Sequence, residues 1–128
     1  MTPVFLSLAE VLEIHRDQIE RYGGHPGLRY LGLLQSALPM RAAGFGGQYL
    51  HGDLIEMAAA YLFHIVQNHP FLDGNKRTGA VAAIVFLSMN GIEIEADEPQ
   101  LEKMVRDVTQ DRAGTSAVAD FLRNYSRP

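Results

Sequence analysis

The sequence contains no cysteine, which excludes disulfides and thiol chemistry and is compatible with a reducing compartment. Positive charge is not in excess either: 11 Lys and Arg stand against 15 Asp and Glu, for a net charge of −4, so there is no general electrostatic footprint for nucleic acid. Long hydrophobic runs are missing. The longest, Gly79 to Leu87, falls well short of the ~20 residues that cross a bilayer. The N-terminal Met-Thr-Pro-Val-Phe-Leu-Ser lacks the basic patch and apolar run of a signal peptide. No repeat, linker or low-complexity stretch interrupts the chain. These absences point to a soluble cytoplasmic protein with no direct nucleic-acid or membrane partner. What remains is one domain over residues 1–128, with 47% hydrophobic residues and enough length to remove about two-thirds of its unfolded surface from water.

The hydrophobic pattern is helical nearly throughout. Ser7 with Glu10 forms a capping-box pair, and Leu8, Val11, Leu12, His15, Ile19 and Tyr22 follow on one helical face until Gly23 and Gly24 stop it. The opposite face, with Glu13, Arg16, Asp17, Glu20 and Arg21, reads as solvated. A turn at Gly24-His25-Pro26-Gly27 leads to a short helix expected from about Leu28 to Leu38. Asp53 opens a helix with Leu54, Ile55, Ala58, Tyr61, Leu62, Ile65 and Val66 as its apolar stripe. A helix over about Asn75 to Asn90 is apolar on nearly every side and reads as central and buried. Gly79 in its first half implies a close approach, either by a neighbouring helix or by a nucleotide. Gly91 ends it, Ile92 to Glu95 is briefly extended, Asp97 with Gln100 caps the next helix, and Thr115 or Ser116 opens the last. The fold class is therefore all-α, a single compact domain of about six helices.

Chemistry concentrates in one loop. His69 to Gly79 reads His-Pro-Phe-Leu-Asp-Gly-Asn-Lys-Arg-Thr-Gly and joins two buried helices, a place where functional groups tend to sit. Pro70 ends the preceding helix near Asn68; Gly74 relieves the backbone and Asn75 is a suitable opener of the next helix. The free N–H groups and positive dipole end at that terminus favour an anion. Lys76 and Arg77 lie where the dipole disfavours cations, a cost that an anionic ligand would offset. His69 can take a proton near neutral pH, Asp73 is a hard oxygen ligand suited to Mg²⁺, Arg77 offers a fork for phosphate oxygens, and Phe71 is a peg for the core. Taken singly these residues are ordinary: a histidine between helices is commonly structural, and Asp-Gly-Asn is a turn signal. Their conjunction at this spacing is what points to function. Gly74 to Gly79 also imitates the start of a Walker-type loop, but Ala80 and Val81 break that pattern and a helix precedes it where a strand is required. His64 and His69, five apart with Pro70 between, are poorly spaced for a zinc pair.

The run resembles the signature of the Fic-domain proteins, His-Pro-Phe-x-Asp/Glu-Gly-Asn-Gly/Lys-Arg, and with Lys76 it is closest to the death-on-curing (Doc) branch of the Fic/Doc family. Tyr22 to Arg29, Tyr-Gly-Gly-x-Pro-Gly-Leu-Arg, and Gly32 to Leu38, Gly-Leu-Leu-x-Ser-Ala-Leu, share the resemblance. It implies a Fic-like fold, His69 as catalytic base, Asp73 as metal-binding acid, Gly74 and Asn75 as the phosphate-cradling turn, Arg77 as triphosphate-binding arginine and Phe71 as the buried anchor of the loop. Residues 40–52, with Phe45 and Tyr49, match by position the flap that docks the target's backbone; aromatics anchoring the core are the alternative.

Two departures bear on the reaction: Lys76 replaces the usual Gly, and Ala80 stands where many members have a second Arg. A glycine lets phosphate approach the backbone closely, whereas Lys76 crowds that approach and adds a point charge. Members with this lysine are understood to transfer the γ-phosphoryl group of ATP, with Mg²⁺, to a hydroxyl of elongation factor Tu. The resemblance thus implies a toxin of a toxin–antitoxin module, an ATP-dependent phosphotransferase with Lys76 in its nucleotide site. The alternatives are AMP transfer by the same loop and a non-catalytic nucleotide-binding module. No Ser/Thr-x-x-x-Glu-Gly/Asn inhibitory run is present in the chain, so the implied regulator is a separate antitoxin occupying the active-site groove.

Overall fold

A computed structural model describes residues 3–38, 44–45, 48–49 and 53–127. Among these, six helices carry the architecture: α1 Leu8–Tyr22, α2 Leu31–Ala37, α3 Leu54–Asn68, α4 Asn75–Met89, α5 Glu98–Thr109 and α6 Thr115–Asn124. Four two-residue strands complete it: β1 Gly44–Phe45 with β2 Gln48–Tyr49, and β3 Glu93–Ile94 with β4 Ser126–Arg127, both pairs antiparallel. Only the backbone of β1 and β2 is described, and the rest of residues 40–52, the expected flap, lies outside the described residues.

Local sequence sets the helix starts. Ser7 and Glu10 form the reciprocal capping box of α1, Asp53 accepts from the Glu56 N–H at α3, and Asp97 with Gln100 boxes α5; each such cap is worth about 1 kcal/mol. Asp17 and Arg21 pair at 2.9 Å on the solvated face of α1, where an exposed pair contributes little.

The helices meet around α3 and α4. α3 packs on α2, α4, α5 and α6, while α1 lies along α4. Tyr61, Leu62 and Ile65 of α3 and Ala82, Ala83, Phe86 and Leu87 of α4 are fully buried. The close approach at Gly79 is to a helix: a Cβ there would lie 2.9 Å from Val66 Cγ2 and 3.2 Å from the Leu62 carbonyl. Small residues thus bring α4 against α3, fixing the direction from which the loop between them emerges.

Two boundaries depart from expectation. α2 begins at Leu31 rather than near Leu28, because the preceding backbone pairs with the loop: the Arg29 and Tyr30 N–H groups donate to the Pro70 carbonyl, the Leu72 N–H to the Gly27 carbonyl, and Leu28 bridges Phe71. Asn75 is the first residue of α4 and not its cap; Gly74 takes the cap position in a left-handed conformation, φ 78°.

Candidate functional site

The loop from His69 to Gly74 is built from inside outward. Phe71, 1% exposed, anchors it. The His15 ring lies on Phe71, and its Nε2–H donates to the Asp73 carbonyl at 2.8 Å. A carbonyl can only accept, so this bond fixes the His15 tautomer. Burial lowers the His15 pKa most; the bond to the Asp73 carbonyl acts in the opposite sense, and the Arg77 charge adds to the lowering.

Asn75 is buried and closes the loop with its side chain. Oδ1 accepts from the Phe71 N–H and Nδ2 donates to the Phe71 carbonyl, both at 2.9 Å. These two bonds fix the amide's orientation, so the Nδ2 that lies 3.2 Å from His69 Nδ1 is a donor. His69 Nδ1 therefore accepts, and the neutral imidazole carries its proton on Nε2. With its amide engaged in this way, Asn75 offers an anion its backbone N–H rather than its side chain.

His69 itself is exposed and adopts left-handed angles, φ 53° and ψ 54°. This conformation costs a non-glycine residue about 1–2 kcal/mol. It follows from the neighbours: Pro70 disfavours right-handed angles at His69, and the left-handed position lets its N–H still donate to the Ile65 carbonyl at the end of α3.

On the other side of the loop, Asp73 is exposed. One carboxylate oxygen, Oδ2, accepts from the His25 N–H at 2.8 Å. Gly24, at φ 118°, abuts it, and a Cβ on Gly24 would come 3.2 Å from the Asp73 Cβ. Gly74 is equally constrained, since a Cβ there would meet Ile19 Cδ1 at 3.1 Å.

The start of α4 is open. Its first backbone bond is made by the Thr78 N–H to the Gly74 carbonyl, leaving the amides of Asn75, Lys76 and Arg77 with no intrahelical acceptor. α4 has neither a side-chain cap nor an acidic residue in its first turn. The Thr78 hydroxyl is buried with no partner among the described residues. Arg77 donates to the Gly23 carbonyl at 2.9 Å, with its guanidinium carbon 5.4 Å from the Tyr22 ring centre. Lys76 is exposed, with no hydrogen bond or ion pair among the described residues.

His69, Phe71 and Asn75 are thus directly connected, while Asp73 and Arg77 are held from residues 23–25. The residues that sequence reasoning left without a role are His15 and the Gly23 to Arg29 run. The run braces the loop throughout, and Arg29 donates to the His69 carbonyl at 2.9 Å and the Asn68 carbonyl at 3.4 Å. Its resemblance to the family was visible in the letters; its bracing role was not.

The donor set suits a polyphosphate with a divalent ion. Free amides and a nearby guanidinium accommodate an anion. Among the described residues no three His, Asp or Glu side chains converge to hold a metal ion, so an ion at Asp73 would draw most ligands from phosphate and water, as Mg²⁺ commonly does.

Comparison with known proteins gives the family. Residues 5–87 match the model of the Fic/DOC family. The chain is 33% identical over 118 residues to "Protein kinase doc" of Escherichia phage P1, covering 92% of each chain. It is 40% identical over 107 residues to "Toxin Doc" of Mycolicibacterium smegmatis, covering 82% of each. The braced loop and the helix start it opens onto lie wholly within the matched span, and the chain belongs to the Fic/DOC family.

Proposed function

We propose that this protein is the toxin of a toxin–antitoxin module and transfers the γ-phosphoryl group of ATP to a Thr or Ser hydroxyl of an elongation factor Tu-like protein in the cytoplasm, blocking protein synthesis. The observation that carries this reading is the start of α4. α4, like α2 and α6, has no side chain capping its first amides, but of these three it alone adds cations, Lys76 and Arg77, to its first turn. Such a terminus is electrostatically incomplete without an anion. Lys76, in place of the family's usual Gly, supports phosphoryl over nucleotidyl transfer, and the name of the phage P1 relative, "Protein kinase doc", points the same way.

Position supports the following roles. Arg77 and the amides of Asn75, Lys76 and Arg77 hold the phosphates and offset charge on the transferring group, which is most of what this reaction requires. Asp73 would hold Mg²⁺, which when bound would neutralise phosphate oxygens further. The acceptor oxygen bonds to the γ-phosphorus, the bond to the β,γ-bridging oxygen breaks, ADP leaves, and His69 takes the hydroxyl proton. Its lone pair is on Nδ1, so the proton arrives at that edge of the held ring as the long 3.2 Å contact from Asn75 Nδ2 gives way. A separate antitoxin covering the groove is the regulator.

ATP labelled in turn at the α- and γ-phosphorus tests this reading with elongation factor Tu as target. Label from the γ position on a hydroxyl is expected, and His69→Ala should lower the rate about 10²- to 10⁴-fold. Label from the α position would establish AMP transfer instead, and nucleotide binding without transfer to any protein would mark a non-catalytic module.

A further inference from the structure

Arg29 has no place in the reaction proposed above. It is an exposed side chain separated from the loop by 40 residues of sequence, yet it meets the backbone at one particular point. Its Nε–H donates to the His69 carbonyl at 2.9 Å, its terminal nitrogen lies 3.4 Å from the Asn68 carbonyl, and its own N–H donates to the Pro70 carbonyl at 2.7 Å. The guanidinium therefore spans the last carbonyls of α3, where a cation is favoured by the helix dipole, and the main chain of Arg29 fixes the next residue.

His69 needs such support. Its φ of 53° is a conformation that a histidine leaves readily unless surrounding bonds hold it. Relaxing that backbone would swing the Cβ and carry the imidazole off Asn75 Nδ2, now 3.2 Å from Nδ1. Asn75 holds the ring; Arg29 holds the backbone beneath it.

We propose that Arg29 is a positioning residue for His69, locking the left-handed turn that aims the imidazole, without itself contacting nucleotide or acceptor. The proposal rests on the base role assigned to His69, but its structural half can be read separately.

The test uses the full chain with Arg29→Ala and Arg29→Lys. Nuclear Overhauser contacts between the Asn75 side-chain amide and the His69 ring report the geometry, titration with ATP reports binding, and transfer kinetics report turnover. Arg29→Ala should lose those contacts and lower kcat about 10- to 100-fold while ATP affinity stays within about twofold. Lysine, which cannot span two carbonyls, should be intermediate; added methylguanidinium should partly restore the alanine variant. Retained contacts with kcat within about twofold of the parent would overturn the proposal, as would a weakened ATP affinity with kcat unchanged. If the parent transfers no phosphate but Arg29→Ala still frees the ring, Arg29 remains the positioning residue and the phosphotransferase reading is what fails.

Discussion

The rings of His15 and Phe71 lie face to face, centroids 3.7 Å apart and 6° from parallel, so a residue of the first helix carries the underside of the loop. Because burial lowers the His15 pKa, the unfolded chain takes up a proton there before the folded one does. Its contribution is fully present above pH 6.5, the ordinary histidine value, and is lost as pH falls from there through the lowered folded value. Denaturant unfolding of the parent and His15→Gln across that range should show the parent losing stability faster on acidification. Parallel pH profiles would contradict a buried neutral imidazole.

Asn75 bonds both the N–H and the carbonyl of Phe71. Asn75→Ala leaves two buried backbone groups unpaired at about 1–3 kcal/mol each, and we expect a loss of about 2–4 kcal/mol in urea unfolding. A loss below about 0.5 kcal/mol, the usual range for surface changes, would mean that the loop closes without this amide.

Lys76 is exposed, and its replacement should leave the fold intact. Lys76→Gly restores the close backbone approach that a glycine permits, so doubly labelled ATP should yield more α-phosphorus label on the target. An unchanged product would place control of the nucleotide's direction on other residues.

Gly79→Ala sets two effects against each other. The helix gains about 1 kcal/mol of propensity, but the added methyl meets Val66 Cγ2 and the immovable Leu62 carbonyl, and overpacking costs about 1–3 kcal/mol. The net should be destabilising by about 1 kcal/mol. Combining it with Val66→Ala should relieve part of the strain; strict additivity of the two changes would show that the contact is not tight.

The caps of α1, α3 and α5 and the stripe of α3 were legible because each depends on residues close in sequence. So was the loop, whose residue types are rare in combination. The start of α2 was not, because helical periodicity at Leu28 gave way to pairing with Phe71. Asn75 was misassigned as a cap for a related reason: a short amide near a helix start suits either role, and the choice is made by Phe71, whose buried N–H and carbonyl both require partners. His15 and Arg29 reach the loop across 58 and 40 residues of sequence, a relation that no local pattern encodes.

The segment from Gly23 to Tyr30 is largely exposed, and loops of that kind ordinarily accept insertions. This one is keyed residue by residue to its opposite number, with Gly23 on Arg77, His25 on Asp73, Gly27 on Leu72 and Arg29 on His69. One added amino acid would slip every tooth of that zip together, so evolutionary or engineered length variation should be tolerated elsewhere on this surface before it is tolerated here.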